Sequence, residues 1–504
     1  MELWLIISSI TTISVCAYVF LKSNKTLPPG PPSIPILSGL LWLLKSFSEL
    51  EPILRNLRAK YGPIITLRIG YRPAIFISTH SLAHQALVQN GALFADRPPP
   101  LPISKVLSTN QHNISSASYG PTWRLLRRNL TSQILHPSRL KSYSKPRKWV
   151  LDILINSLSQ SQSQSHHVLV RDHFQNAMFY LLVLLCFGDK LQQDKIKEVE
   201  RVQRAILLSL NRFTILNFWP SLTKFLFRRR WDEFLQLRRD QAEVLIPLIR
   251  ARATARARVG AELENSMVVS YVDTLLDLQL PEEKRKLEEV EIVSLCSEFL
   301  DAGTDTTSTA LQWILANLVK YSYIQDKVFE EILGVVGSNK KEEIKEEELE
   351  RMPYLKAVIL EGLRRHPPGH FVLPHAVTED TVVEGFLIPK NASVNFMIAE
   401  MGWDPKVWDD PMSFKPERFL NNDIDITGSR EIKMMPFGVG RRICPGYNLA
   451  ILHLEYFVAN LIWNFKWTPL PGDHIDLSEK QEFTVVMKTP LKAHLSPRIS
   501  PFNS

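Results

Sequence analysis

The chain has 504 residues, 45% of them hydrophobic and 22% charged. That balance suits a globular protein with a sizeable core and argues against a disordered chain. Lysine and arginine exceed aspartate and glutamate by a formal +8, a mild excess that fits an acidic partner or an anionic membrane surface and argues against a nucleic-acid binder. Four cysteines, Cys16, Cys186, Cys296 and Cys444, form no CxxC pair. They give neither a zinc pattern nor a disulfide framework, so a reducing compartment is expected for most of the chain.

The first element is residues 3–21, LWLIISSITTISVCAYVFL, which carry no charge. As a helix they span about 28 Å, close to the hydrocarbon thickness of a bilayer. Glu2 precedes the stretch and Lys22 and Lys25 follow it, which places the following side in the cytosol. A cleaved signal peptide is the alternative, but it would have a positive leading region and a shorter apolar run. Next comes LPPGPPSIPILSG, residues 27–39, whose five prolines make a stiff connector. The expected organisation is an anchor helix over 1–22, a hinge over 23–39 and a body over 40–504.

Residues 64–69 and 74–77 alternate as two short strands around a turn at 70–73. Most of the remainder has the three- and four-residue apolar spacing of helices, including residues 287–321. SLSQSQSQSHH, residues 157–167, is expected to be a polar low-complexity loop. Residues 217–231 mix Trp219, Phe225, Phe227 and Trp231 with three consecutive arginines. This composition suits a membrane interface or an ordinary packed helix. The charged run 339–350 reads as a solvated loop and the start of a helix.

Four stretches carry candidate chemistry. AGTDTT, residues 302–307, puts glycine and threonines inside a long helix, where they lower its stability. Gly303 is expected to let a flat ligand approach the backbone, and Asp305 beside Thr306 gives an acid and a hydroxyl for proton transfer. Threonines that merely bond back one turn are the plainer alternative. Glu361 and Arg364 in EGLRR lie three residues apart on one helical face. They form either a surface ion pair or, with Arg418 of PERF, a buried network. FGVGRRICPG, residues 437–446, lacks the third glycine of a dinucleotide loop and the Gly-Lys-Ser/Thr of a P-loop. What remains is Cys444 in a glycine-rich turn before an apolar helix at 449–463. It is either a structural thiol or a thiolate stabilised by backbone amides, able to serve as the single protein ligand of a haem iron.

Phe437, Gly440, Arg442, Cys444 and Gly446 match the haem-binding pattern FxxGxRxCxG, and on this match the chain resembles the cytochrome P450 superfamily. The hinge prolines, Trp123 with Arg127 (WxxxR), residues 302–307, Glu361 with Arg364 (ExxR) and residues 416–419 (PERF) are similar to that superfamily's other motifs and stand in its order. The resemblance covers essentially the whole chain and is nearest to the microsomal plant family numbered eighty-nine. Trp403 departs from it in GWDP, where arginine is more usual, and Gly362 departs in EGLR, where threonine is frequent.

The resemblance implies a mainly α fold with small β-sheets, one large catalytic body behind an N-terminal transmembrane anchor. It implies haem b with Cys444 as the iron ligand and with Trp123, Arg127, Arg442 and His375 holding the propionates. Phe437, Gly440 and Gly446 would shape the cysteine side, and Asp305 and Thr306 would deliver protons during oxygen activation. The implied activity is insertion of one oxygen atom from O2 into a hydrophobic small molecule. Its pocket would be lined near residues 113–117, 299–304, 371–373 and 483–486. Electrons would come from NADPH–cytochrome P450 reductase, docked near Arg441, at the endoplasmic reticulum membrane with the catalytic body cytosolic. The alternatives are a haem-thiolate isomerase or dehydratase acting on a peroxide, and a non-catalytic haem protein.

Overall fold

The computed structural model describes residues 27–32, 39, 42, 45, 47–69, 72–188, 191–217, 219–263, 269–337, 343–390, 392–420 and 424–498. The expected anchor over 1–22 and much of the hinge lie outside these residues. Among the described residues no helix is long and apolar enough to cross a membrane.

The chain divides into two compact units, Met1–Pro99 with Phe371–Met397, and Pro100–His370 with Ile398–Ser504. In the smaller unit, α1 (Phe47–Tyr61) precedes β1 (Ile64–Ile69) and β2 (Arg72–Ile77). The two strands pair antiparallel with Ile64 opposite Ile77, as their alternation predicts. A third strand, β3 (Ser393–Phe396), adds parallel to β2 with Ala74 opposite Ser393. Leu50, Leu54, Leu67, Ala74, Phe76 and Met397 form this unit's core. Pro29, in the proline-rich stretch, is tied to the sheet through Thr66, whose amide donates to the Pro29 carbonyl at 2.9 Å.

The larger unit is helical. Its main elements are α2 (Pro121–Gln133), α3 (Ser144–Ser165), α4 (Val170–Phe187), α5 (Gln193–Phe213), α6 (Arg228–Leu263), α7 (Glu289–Lys320), α8 (Pro353–Arg365) and α9 (Tyr447–Asn464). Strand Phe465–Thr468 pairs antiparallel with Lys492–Pro497, and Glu479–Gln481 makes a hairpin with Val485–Met487. The mainly α fold with small sheets is as expected. Helix α7 is the buried axis of the unit, and α4, apolar along nearly its whole length, lies against it. The amide of Glu288 donates to the Glu291 carboxylate at 2.7 Å, which caps the start of α7.

Two expectations change here. Residues 157–165 are not a loop but the last turns of α3. Leu154 and Leu158, one turn apart, are buried and carry the helical face into the polar repeat. Gln162 of that repeat is used in packing, since its side-chain oxygen accepts from the Leu495 amide at 2.9 Å. Gly303 also has a different purpose. A Cβ there would lie 2.7 Å from Leu182 of α4, so the glycine admits the neighbouring helix and not a flat ligand.

Candidate functional site

The loop before α9 is shaped by left-handed backbone at Gly438 (φ 65°) and Gly440 (φ 72°), a region that a side chain disfavours. The turn returns the Cys444 amide to the Phe437 carbonyl at 2.9 Å. Burial pushes the Cys444 thiol up, while the Gly446 amide and the Arg127 guanidinium act in the opposite sense. Of the backbone amides expected to converge on the sulfur, Gly446 alone reaches it among the described residues. The Phe437 ring leans on Tyr447, centroids 6.3 Å apart.

Helix α2 presents Trp123 and Arg127 toward the same loop. Arg127 donates to the Ile443 carbonyl at 2.5 Å, and burial lowers its pKa against the opposing charge of Cys444. The Arg442 guanidinium lies 4.4 Å from the centre of the Trp123 ring, and that of Arg127 lies 5.8 Å from it. Trp123 is buried, yet its indole N–H has no hydrogen-bond partner. A buried indole donor nearly always has one. An orphan donor beside two guanidiniums and a thiol fits a flat ligand with anionic edges and a thiolate-seeking metal, which describes haem. On α7, Ala302 is exposed within a helix that is otherwise largely buried, so the helix borders open space there.

Asp305 and Thr306 lie on α7 as expected, but their partners were not foreseen. Asp305 Oδ1 accepts from the Gln175 amide at 3.0 Å and lies 3.6 Å from the Arg204 guanidinium. Burial raises the Asp305 pKa, and Arg204 and Gln175 oppose the rise. Thr306 Oγ1 donates to the Ala302 carbonyl at 2.6 Å, the back-bond weighed as the plainer alternative. Sequence spacing could not reveal Gln175 or Arg204, because both arrive from other helices. The one local signal is a glutamine at the head of the apolar run of α4.

The pair Glu361–Arg364 is not a surface bridge. Glu361 is 0% exposed and Arg364 1%. Arg364 Nε and one terminal nitrogen meet the two Glu361 oxygens at 2.7 and 2.8 Å, and its remaining fork donates to the Gly402 and Pro411 carbonyls at 2.6 and 2.8 Å. Arg418 joins at 3.4 Å, and the Lys415 amide donates to the same carboxylate at 2.8 Å. Such a buried pair stands only because every charge is answered. Gly362, between the pair, lets α8 approach α7, since a Cβ there would lie 2.5 Å from Ile314. The departure at Trp403 is absorbed locally: its indole donates to the Arg365 carbonyl at 3.0 Å, with the His370 ring edge-on at 5.1 Å.

His375 belongs to the smaller unit. It is buried, and its Nδ1 lies 2.7 Å from the Phe94 carbonyl.

The fold and the cysteine loop define the class. The cytochrome P450 family profile matches residues 28–496, and the chain belongs to that family of haem monooxygenases. Among curated relatives, cytochrome P450 89A9 of Arabidopsis thaliana is 53% identical, covering 98% of both chains. A flavonoid 3',5'-hydroxylase of Eustoma exaltatum subsp. russellianum is 30% identical over 96% of this chain and 94% of that one. Among solved structures, a zebrafish cytochrome P450 with progesterone superposes with a TM-score of 0.73 at 23% identity, covering 89% of this chain and 99% of that one.

Proposed function

We propose that the protein is a haem b-thiolate monooxygenase that inserts one oxygen atom from O2 into a hydrophobic small molecule, with electrons from an NADPH reductase. The observation that carries the reading is the orphan indole of Trp123, with two guanidiniums over its ring, one of them facing Cys444. Cys444 Sγ would be the iron ligand, and Trp123, Arg127 and Arg442 would hold the propionates. His375 is assigned to the propionates by family resemblance alone. When bound, the haem supplies the activation of molecular oxygen and, through the thiolate, the electron density that favours O–O cleavage.

The chain's own residues do the rest. Arginine forks match carboxylates with two parallel hydrogen bonds, so they orient the macrocycle as well as neutralise it. Asp305 holds a proton more readily than an exposed carboxyl, because burial disfavours its charge. Arg204 draws that carboxyl back toward ionisation, so its oxygens can both take and give a proton. Thr306 Oγ1, exposed beside Ala302, holds the next proton. The glutamate–arginine network under the loop keeps the cysteine side rigid and takes no part in proton movement.

Partners follow from the surfaces. Arg124, Arg128 and Arg441 are exposed on the residues flanking the cysteine side, which suits docking of an acidic reductase face. Trp219, Leu222, Phe225 and Leu226 are exposed next to exposed Arg228, Arg229 and Arg230, with Phe225 at 82%. Apolar tips beside cations suit a lipid interface. Trp231 from the same stretch is buried in the core. With the apolar residues 3–21, this favours the endoplasmic reticulum membrane.

The deciding experiment supplies 18O2, NADPH and the reductase together with a substrate found by spectral shift. One labelled oxygen atom per product supports the reading. Turnover driven by an organic peroxide, without reductase and without label, would contradict it and favour an isomerase or dehydratase.

A further inference from the structure

Glu298 on α7, one turn before Ala302, accepts from two successive backbone amides of another segment. The Ser115 N–H meets its Oε1 at 2.6 Å, and the Ile114 N–H meets its Oε2 at 2.8 Å. A carboxylate with one amide on each oxygen is a charge-assisted, two-point grip. The same segment is held from its other side: Arg442 donates to the Ile114 carbonyl at 3.2 Å and to the Ala117 carbonyl at 2.6 Å. The Ile114 residue thus links the Glu298 carboxylate, through its amide, to the Arg442 guanidinium, through its carbonyl.

The segment needs such a grip. Thr109, Asn110 and Gln111 run through left-handed backbone, with φ of 45°, 59° and 68°. Three consecutive non-glycine residues there persist only where the surroundings determine them. Thr109 and His112 are also pinned, Thr109 Oγ1 to Ser294 Oγ at 2.5 Å and His112 Nε2 to Glu283 at 2.9 Å. These contacts hold the first residue of the strained run and the residue just after it. Among the described residues, Glu298 and Arg442 hold the main chain of residues 114–117 from distant parts of the chain, and the Gln111 side-chain amide adds a local bond to the Ser116 carbonyl at 2.6 Å.

We propose that Glu298 is a positioning residue for substrate selection. It fixes the main chain of residues 113–117 so that this segment forms a rigid wall beside the exposed face of α7, and its carboxylate does not itself touch substrate. The proposal rests on the monooxygenase reading, in which residues 113–117 line the pocket. It also couples two tasks, because Arg442, assigned to a propionate, is one of the two holders of the segment.

The test uses Glu298→Ala and the milder Glu298→Gln in the full haem-loaded chain. Glutamine keeps one acceptor oxygen, so it loses one of the two amide bonds and remains informative if the alanine variant folds poorly. Hydrogen–deuterium exchange of the peptide spanning residues 108–120 is measured by mass spectrometry. Exchange at least tenfold faster in Glu298→Ala, smaller in Glu298→Gln and confined to this peptide, is the expected result. Spectral titration with imidazole and with 4-phenylimidazole then gives the ratio of their dissociation constants, which should change at least threefold while the ferrous–CO band is unaltered. Wild-type exchange in both variants would overturn the grip. Faster exchange with an unchanged ratio would overturn the role in selection. A wild-type protein with no spectral response to either azole would sink the haem reading instead, and exchange would still decide the grip.

Discussion

Residues 437–446 and residues 302–307 are both glycine-bearing stretches of a P450, yet they are built by different means. The cysteine loop is shaped by its own backbone. Gly438 and Gly440 adopt left-handed conformations, the Cys444 amide closes the turn on Phe437, and the Gly446 amide reaches the sulfur. In the stretch on α7, Gly303 makes room for Leu182, Thr306 bonds back to Ala302, and Asp305 turns to Gln175 and Arg204 on other helices. The first region carries its geometry in consecutive residues. The second borrows it from neighbours distant in sequence.

The largest expected effect tests the buried network of Glu361, Arg364 and Arg418. Glu361→Ala leaves the buried Arg364 and the half-buried Arg418 without their carboxylate, which costs about 3–5 kcal/mol. Little haem-loaded protein should survive purification, and thermal melting should collapse. Wild-type melting would mean that the network is ornamental.

A smaller loss is expected from Trp123→Phe, which keeps a ring near Arg442 and removes the orphan N–H. A hydrogen bond to a charged group contributes about 1.5–3 kcal/mol, so haem affinity should fall roughly 10- to 100-fold. Competition with apomyoglobin for haem measures it. Unchanged affinity would leave the unpartnered indole without a ligand to explain it.

The third prediction concerns His366, behind the hairpin Glu479–Gln481/Val485–Met487. Its ring stacks on Trp313 at 4.0 Å, and its Nδ1 lies 3.1 Å from Glu479. Burial lowers its pKa to about 4, and Glu479 opposes the shift. The unfolded chain takes this proton near pH 6.5. Between these values the unfolded state binds more protons, so stability falls as pH falls. The loss from this group between pH 7 and 5 is about 2 kcal/mol. Thermal melting at both pH values should show a shallower acid limb in His366→Asn than in the wild type. Parallel limbs would remove His366 from the account.

These contrasts explain what was legible in the sequence. Strands β1 and β2 follow from alternation and a short turn, whereas β3, more than 300 residues later in the chain, leaves no local sign of its parallel partner. Cys444, Arg442, Trp123 and Arg127 stand out in the sequence because their motifs are short, and the structure brings them together. The burial of Glu361 and Arg364 was open in the sequence, since three-residue spacing is common to surface and buried pairs. Residues 157–167 read as a loop because serine and glutamine repeats resemble linkers, and the burial of Leu154 and Leu158 shows that helix α3 runs on to Ser165. Glu298 was passed over altogether. A glutamate in a helix reads as surface charge until the segment whose amides it receives is placed beside it.

The central claim is that Cys444 is the iron ligand, and the ferrous–CO difference spectrum of Cys444→Ser tests it most directly. Replacing sulfur with oxygen removes the thiolate and leaves the fold of the loop in place. The account predicts that the strongly red-shifted thiolate band of the wild type disappears in the variant. An unchanged band in Cys444→Ser, with haem retained, would contradict it.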